Sequence, residues 1–342
     1  MKAIIFNFHG GPEVLHYADV PDPVLKATDV LVRVRACALN HLDLWVRRGM
    51  PGIEIPLPHI PGSDIAGEIA AVGSAVWRVK VGDPVILAPG ISCGQCAYCL
   101  SGADNFCRRY KIFGELVDGG CAQFVCSPEV NAIPKPERLS FEEAAAVPLV
   151  FLTAWHMLVS RAKVQPGEWV LVLGAGSGVG TAAIQLAKVL GARVIASASS
   201  NEKLEHALKL GADAVIHHGI KDIAMEVKRI TNKRGVDVVV EHVGVATWDK
   251  SIASLTPGGR LVTCGATTGY DAKLDLRYLF SKQFSLLGSK MGSKGELYSA
   301  LELVNEGRLK PVIDTVFPLE ECARAHERLE HREQFGKIVL KV

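Results

Sequence analysis

Apolar and polar positions follow two different rhythms along the chain. Up to residue 150 they form short alternating runs broken by Gly and Pro: "DVLVRVRACAL", then "DIAGEIAAVG" after a Pro-Gly turn, then "KVGDPVILAPG". Many short strands separated by turn residues predict a β-rich, barrel-like unit. After residue 150 the strands become apolar throughout and alternate with helical periodicity. "EWVLVLGAGSGVGTAAIQLAKVLGARVIASAS" reads as strand, glycine turn, helix and strand. "NEKLEHALKLGADAVIHH", "IKDIAMEVKRITNKRGVDVVVEHVG" and "ATWDKSIASLTPGGRLVTCG" each repeat helix then strand. This alternation predicts an α/β fold whose parallel sheet is covered on both faces, and right-handed crossovers make it doubly wound. A helix in "GELYSALELVNEGRL" and strands ending in "GKIVLKV" are expected to return to the first unit. The expected domains are residues 1–150 with 290–342, and residues 151–289.

Composition narrows the function classes. The chain has 342 residues, 49% hydrophobic and 22% charged, which is globular and long enough for two domains. Its net charge is +2 with no basic block, so neither a nucleic-acid surface nor a membrane partner is expected. No apolar run is read as reaching bilayer length. "MKAIIFNFHGGPEVL" meets Gly-Gly-Pro too early for a signal or transit peptide. A cytoplasmic protein is expected. Nine cysteines are an odd count for a disulfide framework. Four of them crowd into "ISCGQCAYCLSGADNFC" within a lobe at 91–110, a spacing that suits a metal. The other five, Cys37, Cys121, Cys126, Cys264 and Cys322, are expected to be small buried hydrophobes.

The glycine turn carries Gly174, Gly176, Gly178 and Gly180, with Ser177 and Val179 between them. Val179 stands where a strict G-x-G-x-x-G has its third glycine. The physical logic survives: a tight turn brings the N–H groups of a helix N-terminus to an incoming pyrophosphate. Set at the head of successive strand–helix units, the turn predicts a dinucleotide site. NAD-type sites place a carboxylate at the end of the next strand to bind the ribose 2′-hydroxyl. Here that strand end has none. Ser199, Ser200 and Lys203 suit a 2′-phosphate instead, so NADP(H) is favoured over NAD(H). Lys203 as an ordinary solvated residue is the competing reading, and Glu202 beside it counts against phosphate.

"GGPEVL", "NHLDLWVRRG", "PGSDIAGEIAAVG", "VGDPV", the four cysteines, "AAAVPLVFLTAW", "GAGSGVG" and "FGKIVL" occur in this order. With them the chain resembles the medium-chain dehydrogenase/reductase superfamily over its whole length. The resemblance implies a GroES-like substrate domain, a Rossmann domain, an active-site cleft between them, a small-molecule substrate, and assembly as a homodimer or homotetramer. Zinc alcohol dehydrogenases of the superfamily carry a C-x2-C-x2-C-x7-C lobe, which Cys93, Cys96, Cys99 and Cys107 match. Four thiolates close a tetrahedron and leave no open position, so one structural zinc is implied. The family's catalytic zinc ligands fall on Asn40, Ser63 and Leu149, none of which is the residue required. Cys37 and His59 lie near these positions but out of register. The N-x-x-D pattern of Asn40 and Asp43 is similar to the zinc-independent quinone and enone reductases. Those generally lack the cysteine lobe, and where they often have an aromatic hydroxyl this chain has Trp45.

Without a Lewis acid, an alkoxide is hard to stabilise, whereas hydride addition to an enone or quinone spreads charge onto a carbonyl oxygen. The resemblance therefore implies an NAD(P)H-dependent oxidoreductase that reduces a conjugated C=C or a quinone. Asn40 would orient cofactor or substrate, and Asp43 would hold the loop or exchange protons. His41 and Lys337 would approach the pyrophosphate and Thr153 the nicotinamide. Cys264, Gly265, Ser289 and Met291 would line the nicotinamide pocket. Two alternatives stand beside this reading. One is an alcohol dehydrogenase, favoured by the cysteine lobe and opposed by the missing ligands. The other is a cofactor-binding protein without turnover.

Overall fold

The computed structural model describes all 342 residues and divides them into two compact units. The first unit comprises Met1–Leu149, Ser293–Asn305 and Lys310–Val342, and the second comprises Val150–Gly292 with Glu306–Leu309.

The first unit is built on a seven-stranded sheet. In spatial order its strands are Ile313–Pro318, Lys337–Lys341, Asp29–Ala38, Asp64–Val72, Pro84–Leu87 and Ala132–Pro134, with Phe124–Pro128 also paired to Asp29–Ala38. Only the first pair is parallel. The period of two explains the long strand: Val30, Val32 and Val34 point into the core, while Arg33 and Arg35 face solvent. Ile65, Ile69, Val85 and Leu87 complete that core from neighbouring strands.

Six parallel strands form the sheet of the second unit, in the order Ala214–His217, Arg193–Ala198, Trp169–Val172, Val236–Glu241, Leu255–Thr263 and Ser285–Gly288. Leu171, Ile195, Val239 and Leu261 form its core. Crossovers leave Trp169–Val172 and Val236–Glu241 in opposite directions, so their carboxyl ends flank the switch point where doubly wound sheets take ligands.

Two sequence expectations need correction. The helical stretch Phe141–Arg161 is, by length and composition, long and apolar enough to cross a bilayer. Reading only unbroken apolar runs missed it, because Glu142, Glu143 and His156 interrupt the pattern. Most of that stretch is buried in the fold, as for a core helix. The second correction concerns cysteines. Cys37, Cys121 and Cys322 are buried, but Cys126 and Cys264 are partly exposed. Cys126 lies on the outer face of its strand, alternating with buried Val125 and Ser127. Cys264 lies just past the end of Leu255–Thr263.

Candidate functional site

Three strand ends in the first unit bring distant residues together. Ala38 pairs with Asp64 on one side and with Val339 on the other. Extending the second antiparallel register by two residues sets Asn40 opposite Lys337. The Lys337 ammonium donates to Asn40 Oδ1 at 2.5 Å and to Asp64 Oδ2 at 2.9 Å. Asn40 Nδ2 donates to Asp64 Oδ2 at 2.9 Å and to the Ala38 carbonyl at 3.4 Å. The Leu149 N–H donates to Asp64 Oδ1 at 2.7 Å. Asp64 is 0% exposed, Lys337 3% and Asn40 7%. A buried ion pair is thus held with its polar atoms directed by hydrogen bonds, as burial of charge demands.

Asn40 also opens the helix His41–Arg48, and Asp43 closes that cap by accepting the Asn40 N–H at 2.7 Å. The second Asp43 oxygen accepts from the Gly62 N–H at 3.0 Å, tying the helix to the loop before Asp64. Burial pushes the Asp43 carboxyl up to about 6, against the pull of His326, Lys337 and its two N–H donors. The His41 ring stands edge-on to Trp45, with centroids 5.0 Å apart. His59 is buried with its ring edge against Phe6, and burial lowers its pKa. The Ser63 hydroxyl is buried and has no hydrogen-bond partner.

In the cysteine lobe, the sulfurs of Cys93, Cys96, Cys99 and Cys107 all lie within 4.8 Å of one another. None is in a disulfide. The N–H groups of Cys93 and Arg109 point at the Cys107 sulfur at 3.5 and 3.4 Å. The lobe is clamped at its base by the pairing of Gly90–Ile91 with Lys111–Ile112. Asp104 anchors it further, accepting from the Lys294 N–H at 3.0 Å and ammonium at 2.9 Å.

In the second unit, Gly174 takes φ +56°, and a Cβ there would meet the His242 ring at 2.9 Å. Gly180 is required for a different reason: its Cβ would lie 2.4 Å from the Gly174 carbonyl, so only glycine lets the helix start this close. Ser177 caps Gly178–Val189, accepting from the Gly180 N–H at 2.9 Å, and Val179 lies in the first turn. His242 Nε2 lies 2.8 Å from the Leu173 carbonyl, and burial lowers its pKa. Buried Glu241 beside it accepts from the N–H groups of Val243 and Gly244 and the hydroxyls of Thr247 and Ser251. Arg193–Ala198 ends without a carboxylate; Ser199 follows, and Ser200 caps the next helix by accepting the Lys203 N–H at 3.3 Å. Burial pushes the Cys264 thiol up to about 12. Gly265 accepts from Thr263 Oγ1, Ser289 N–H donates to the Thr263 carbonyl, Met291 takes φ +55°, and Thr153 is buried on Pro148–Trp155.

Two domain families match the chain: alcohol dehydrogenase GroES-like domain over residues 26–137 and zinc-binding dehydrogenase over residues 178–306. An alcohol dehydrogenase from Geobacillus stearothermophilus is 35% identical, with both chains fully covered. A quinone oxidoreductase from Homo sapiens is 33% identical over 99% of this chain and 97% of its own. The chain belongs to the medium-chain dehydrogenase/reductase superfamily. A solved structure of an NAD-dependent alcohol dehydrogenase superposes with a TM-score of 0.97 at 49% identity, covering 100% of both chains. The protein is an NAD(P)-dependent oxidoreductase of this superfamily with a GroES-like and a Rossmann-type unit.

The superfamily's groups can be tested against these residues. The four thiolates fit a structural zinc: soft donors, mutual spacing suited to a tetrahedron, and N–H groups aimed at sulfur. The glycine turn fits a dinucleotide, because its helix start is open to backbone approach at a switch point. A catalytic zinc does not fit. Asn40, Ser63 and Leu149 stand at the expected ligand positions, and none of these side chains offers the thiolate or imidazole that site requires. Sequence reading singled out Asn40 and Asp43, which the structure joins by a cap, and placed Lys337 with the pyrophosphate contacts. In the structure the Lys337 ammonium donates to Asn40 and Asp64. Sequence reading missed the role of Asp64 in that pair, and it missed His242 and Glu241. Their only signals were an Asp after a lost ligand and an Asp/Glu-His pair at a strand end.

Proposed function

We propose that this enzyme reduces a conjugated carbonyl compound, an enone or a quinone, with a reduced nicotinamide cofactor and without a catalytic metal. The observation that carries the reading is that Asn40, Ser63 and Leu149, an amide, a hydroxyl and an aliphatic side chain, stand at the positions of the family's catalytic-metal ligands, with Asn40 held by Asp64 and Lys337. A delocalised enolate or hydroquinone oxygen carries less charge than a localised alkoxide and needs less stabilisation, so hydrogen-bond donors can serve where a simple ketone requires a Lewis acid. The similarity to a quinone oxidoreductase over nearly the whole chain supports the same class.

Bound at the glycine turn, the reduced nicotinamide supplies the hydride. The backbone N–H groups of Gly178 and Val179, in the first turn of the helix, receive its pyrophosphate, with His41 as a further contact. Ser199, Ser200 and Lys203 receive a 2′-phosphate, which makes NADPH the preferred reductant; the strand end without a carboxylate supports this. Thr153, Cys264, Gly265, Ser289 and Met291 shape the nicotinamide pocket, and at about 12 the Cys264 thiol stays neutral there. Asp43 holds the helix start to the loop before Asp64. The cysteine lobe carries one zinc with a structural role. Ser285–Gly288, at the open edge of its sheet, supports assembly into a homodimer or homotetramer.

A second reading has its own support: the solved structure at 49% identity is named an NAD-dependent alcohol dehydrogenase. The two separate in one assay. NADPH oxidation is followed with enones and quinones, and NAD(P)+ reduction with alcohols, before and after mild chelation. Turnover of conjugated acceptors that survives chelation is expected. Alcohol oxidation that collapses on chelation, with conjugated acceptors inert, overturns the proposal.

A further inference from the structure

Buried thiols of the first unit take no part in the reading above. Cys37 lies near the end of Asp29–Ala38, Cys121 before Phe124–Pro128, and Cys322 at the start of the helix Cys322–Glu330. Each is 0% exposed, and none is in a disulfide. Distant in sequence, they meet in the fold: the Cys121 thiol lies 3.8 Å from the Cys37 sulfur and also hydrogen-bonds Cys322. Cys121 thus stands between two sulfurs with a single S–H to share. A buried polar cluster flanks Cys322. Arg47, 0% exposed, donates from Nε to the Gly10 carbonyl at 3.2 Å, from one terminal nitrogen to His326 Nδ1 at 3.2 Å, and from the other to Glu330. A guanidinium has no acceptor, so His326 Nδ1 accepts and the ring proton lies on Nε2. That buried Nε2 has no partner among the protein's oxygens and nitrogens. Cys322 precedes His326 by one turn on the same helix face, where a thiolate accepts such an N–H. The Cys121 thiol, with His326 and Arg47, holds the Cys322 thiol below its ordinary range against its burial, while Cys121 is pushed well above it.

We propose that Cys322 and Cys121 form an oxidation site for hydrogen peroxide, in which Cys322 is the attacking thiolate and Cys121 resolves it into a disulfide. The Cys322 sulfur attacks one peroxide oxygen: an S–O bond forms, the O–O bond breaks, and hydroxide leaves. Sulfur loses two electrons to peroxide and becomes a sulfenic acid. The Cys121 sulfur then attacks Cys322, and the S–O bond breaks; the departing hydroxide takes the Cys121 proton and leaves as water. One thiolate, one thiol and one peroxide thus give one disulfide, one water and one hydroxide. Hydrogen peroxide is little larger than water and reaches the pair through local opening of the chain around it. Gly62 couples the site to its surroundings. A Cβ there would lie 2.5 Å from the Cys37 sulfur and 2.8 Å from the Cys121 sulfur, so this backbone rests directly on both. The Gly62 N–H donates to Asp43 at 3.0 Å, and Asp43 caps Asn40. Drawing the Cys121 sulfur to about 2.05 Å from that of Cys322 removes support beneath Gly62 and slackens the loop that leads to Ser63 and Asp64.

The test treats the zinc-loaded, full-length protein with hydrogen peroxide, digests it without reduction and reads the peptides by mass spectrometry. A linked Cys121–Cys322 peptide, lighter by two hydrogens than the sum of its parts, is expected before the lobe cysteines release zinc to a metal-responsive dye. Amide hydrogen exchange at residues 60–64 should speed up on oxidation and return to its starting rate with dithiothreitol. In Cys121→Ala the oxidised sulfur has no resolving partner, so dimedone should label Cys322 as a sulfenic acid. In Cys322→Ala both Cys37 and Cys121 should stay reduced. Cys121 and Cys322 that stay reduced until zinc is lost, or that oxidise only together with the partly exposed Cys126, would overturn the proposal and leave all three thiols as packing. A Cys37–Cys121 link in place of the expected one would overturn the role of Cys322, and unchanged exchange at 60–64 would overturn the coupling through Gly62. The wild-type digest decides the matter even where a variant fails to fold, and none of these readouts depends on which substrate the enzyme turns over.

Discussion

Asp64→Ala offers a direct thermodynamic probe of the centre. Asp64 is 0% exposed and accepts from Lys337 Nζ, Asn40 Nδ2 and Leu149 N at 2.9, 2.9 and 2.7 Å. Removing it strands an ammonium that is 3% exposed, together with two N–H donors. Breaking a buried pair by deleting one partner costs about 3–5 kcal/mol. At roughly 2–4 °C per kcal/mol for a body of this size, the melting temperature of the first unit should fall by about 6–20 °C. Asp64→Leu/Lys337→Met removes both charges and should recover most of the loss. The coupling between the two sites then exceeds about 2 kcal/mol. The assay is calorimetry or denaturant unfolding on the two single variants and the double variant. A single-variant cost below about 1 kcal/mol, or additive single effects, would mean that solvent reaches the pair and that the centre is not preorganised.

Three further outcomes follow from other parts of the structure. Cys93→Ser should release the zinc and strip hydrogen-exchange protection from residues 91–110, where Tyr98, Leu100 and Phe106 are exposed and little core exists. Turnover of the folded fraction should fall less than tenfold; a loss of about 100-fold or more would mark this zinc as catalytic. Asp43 titrates at about 6 when folded, above its unfolded value of about 3.9, so the fold favours its protonated form and that advantage disappears as pH rises from 4 to 6. Asp43→Asn cannot titrate, so wild type should lose about 3 kcal/mol relative to it between pH 4 and 7; a pH-independent difference would show Asp43 to be solvated. Ser199→Asp restores a carboxylate at the strand end and should swing the kcat/KM ratio toward NADH by at least about tenfold, at 1.4 kcal/mol per tenfold; an unmoved ratio would place cofactor choice elsewhere.

Much of this architecture is legible in the sequence because it is written in local periodicity. Val30, Val32 and Val34 announce a half-buried strand, and the wholly apolar Val170 to Leu173 announces a central parallel one. The metal lobe is legible because four cysteines in seventeen residues have few other uses, and their sulfurs do converge. The polar centre is only half legible. Asn40 and Asp43 lie three residues apart, so a helix cap joins them. Asp64 and Lys337 lie 273 residues apart and meet only through the registers of three strands, which no local pattern encodes. His242 is hidden for the same reason: it contacts the glycine turn because two strands are neighbours in the sheet. The stretch Phe141–Arg161 is hard to read for the opposite reason: it is broken into Phe141–Ala145, Pro148–Trp155 and a wide turn at His156–Arg161, so no single period runs through it.

The central claim of the proposed function is that the enzyme reduces conjugated substrates without a catalytic metal. Zinc per chain, measured on protein purified without added metal or a polyhistidine tag, tests it most directly. One zinc, retained with enone or quinone turnover when the protein is mildly chelated, is the predicted result. Two zincs, with activity lost alongside the more weakly held one, would contradict it and identify an alcohol dehydrogenase with unfamiliar ligands.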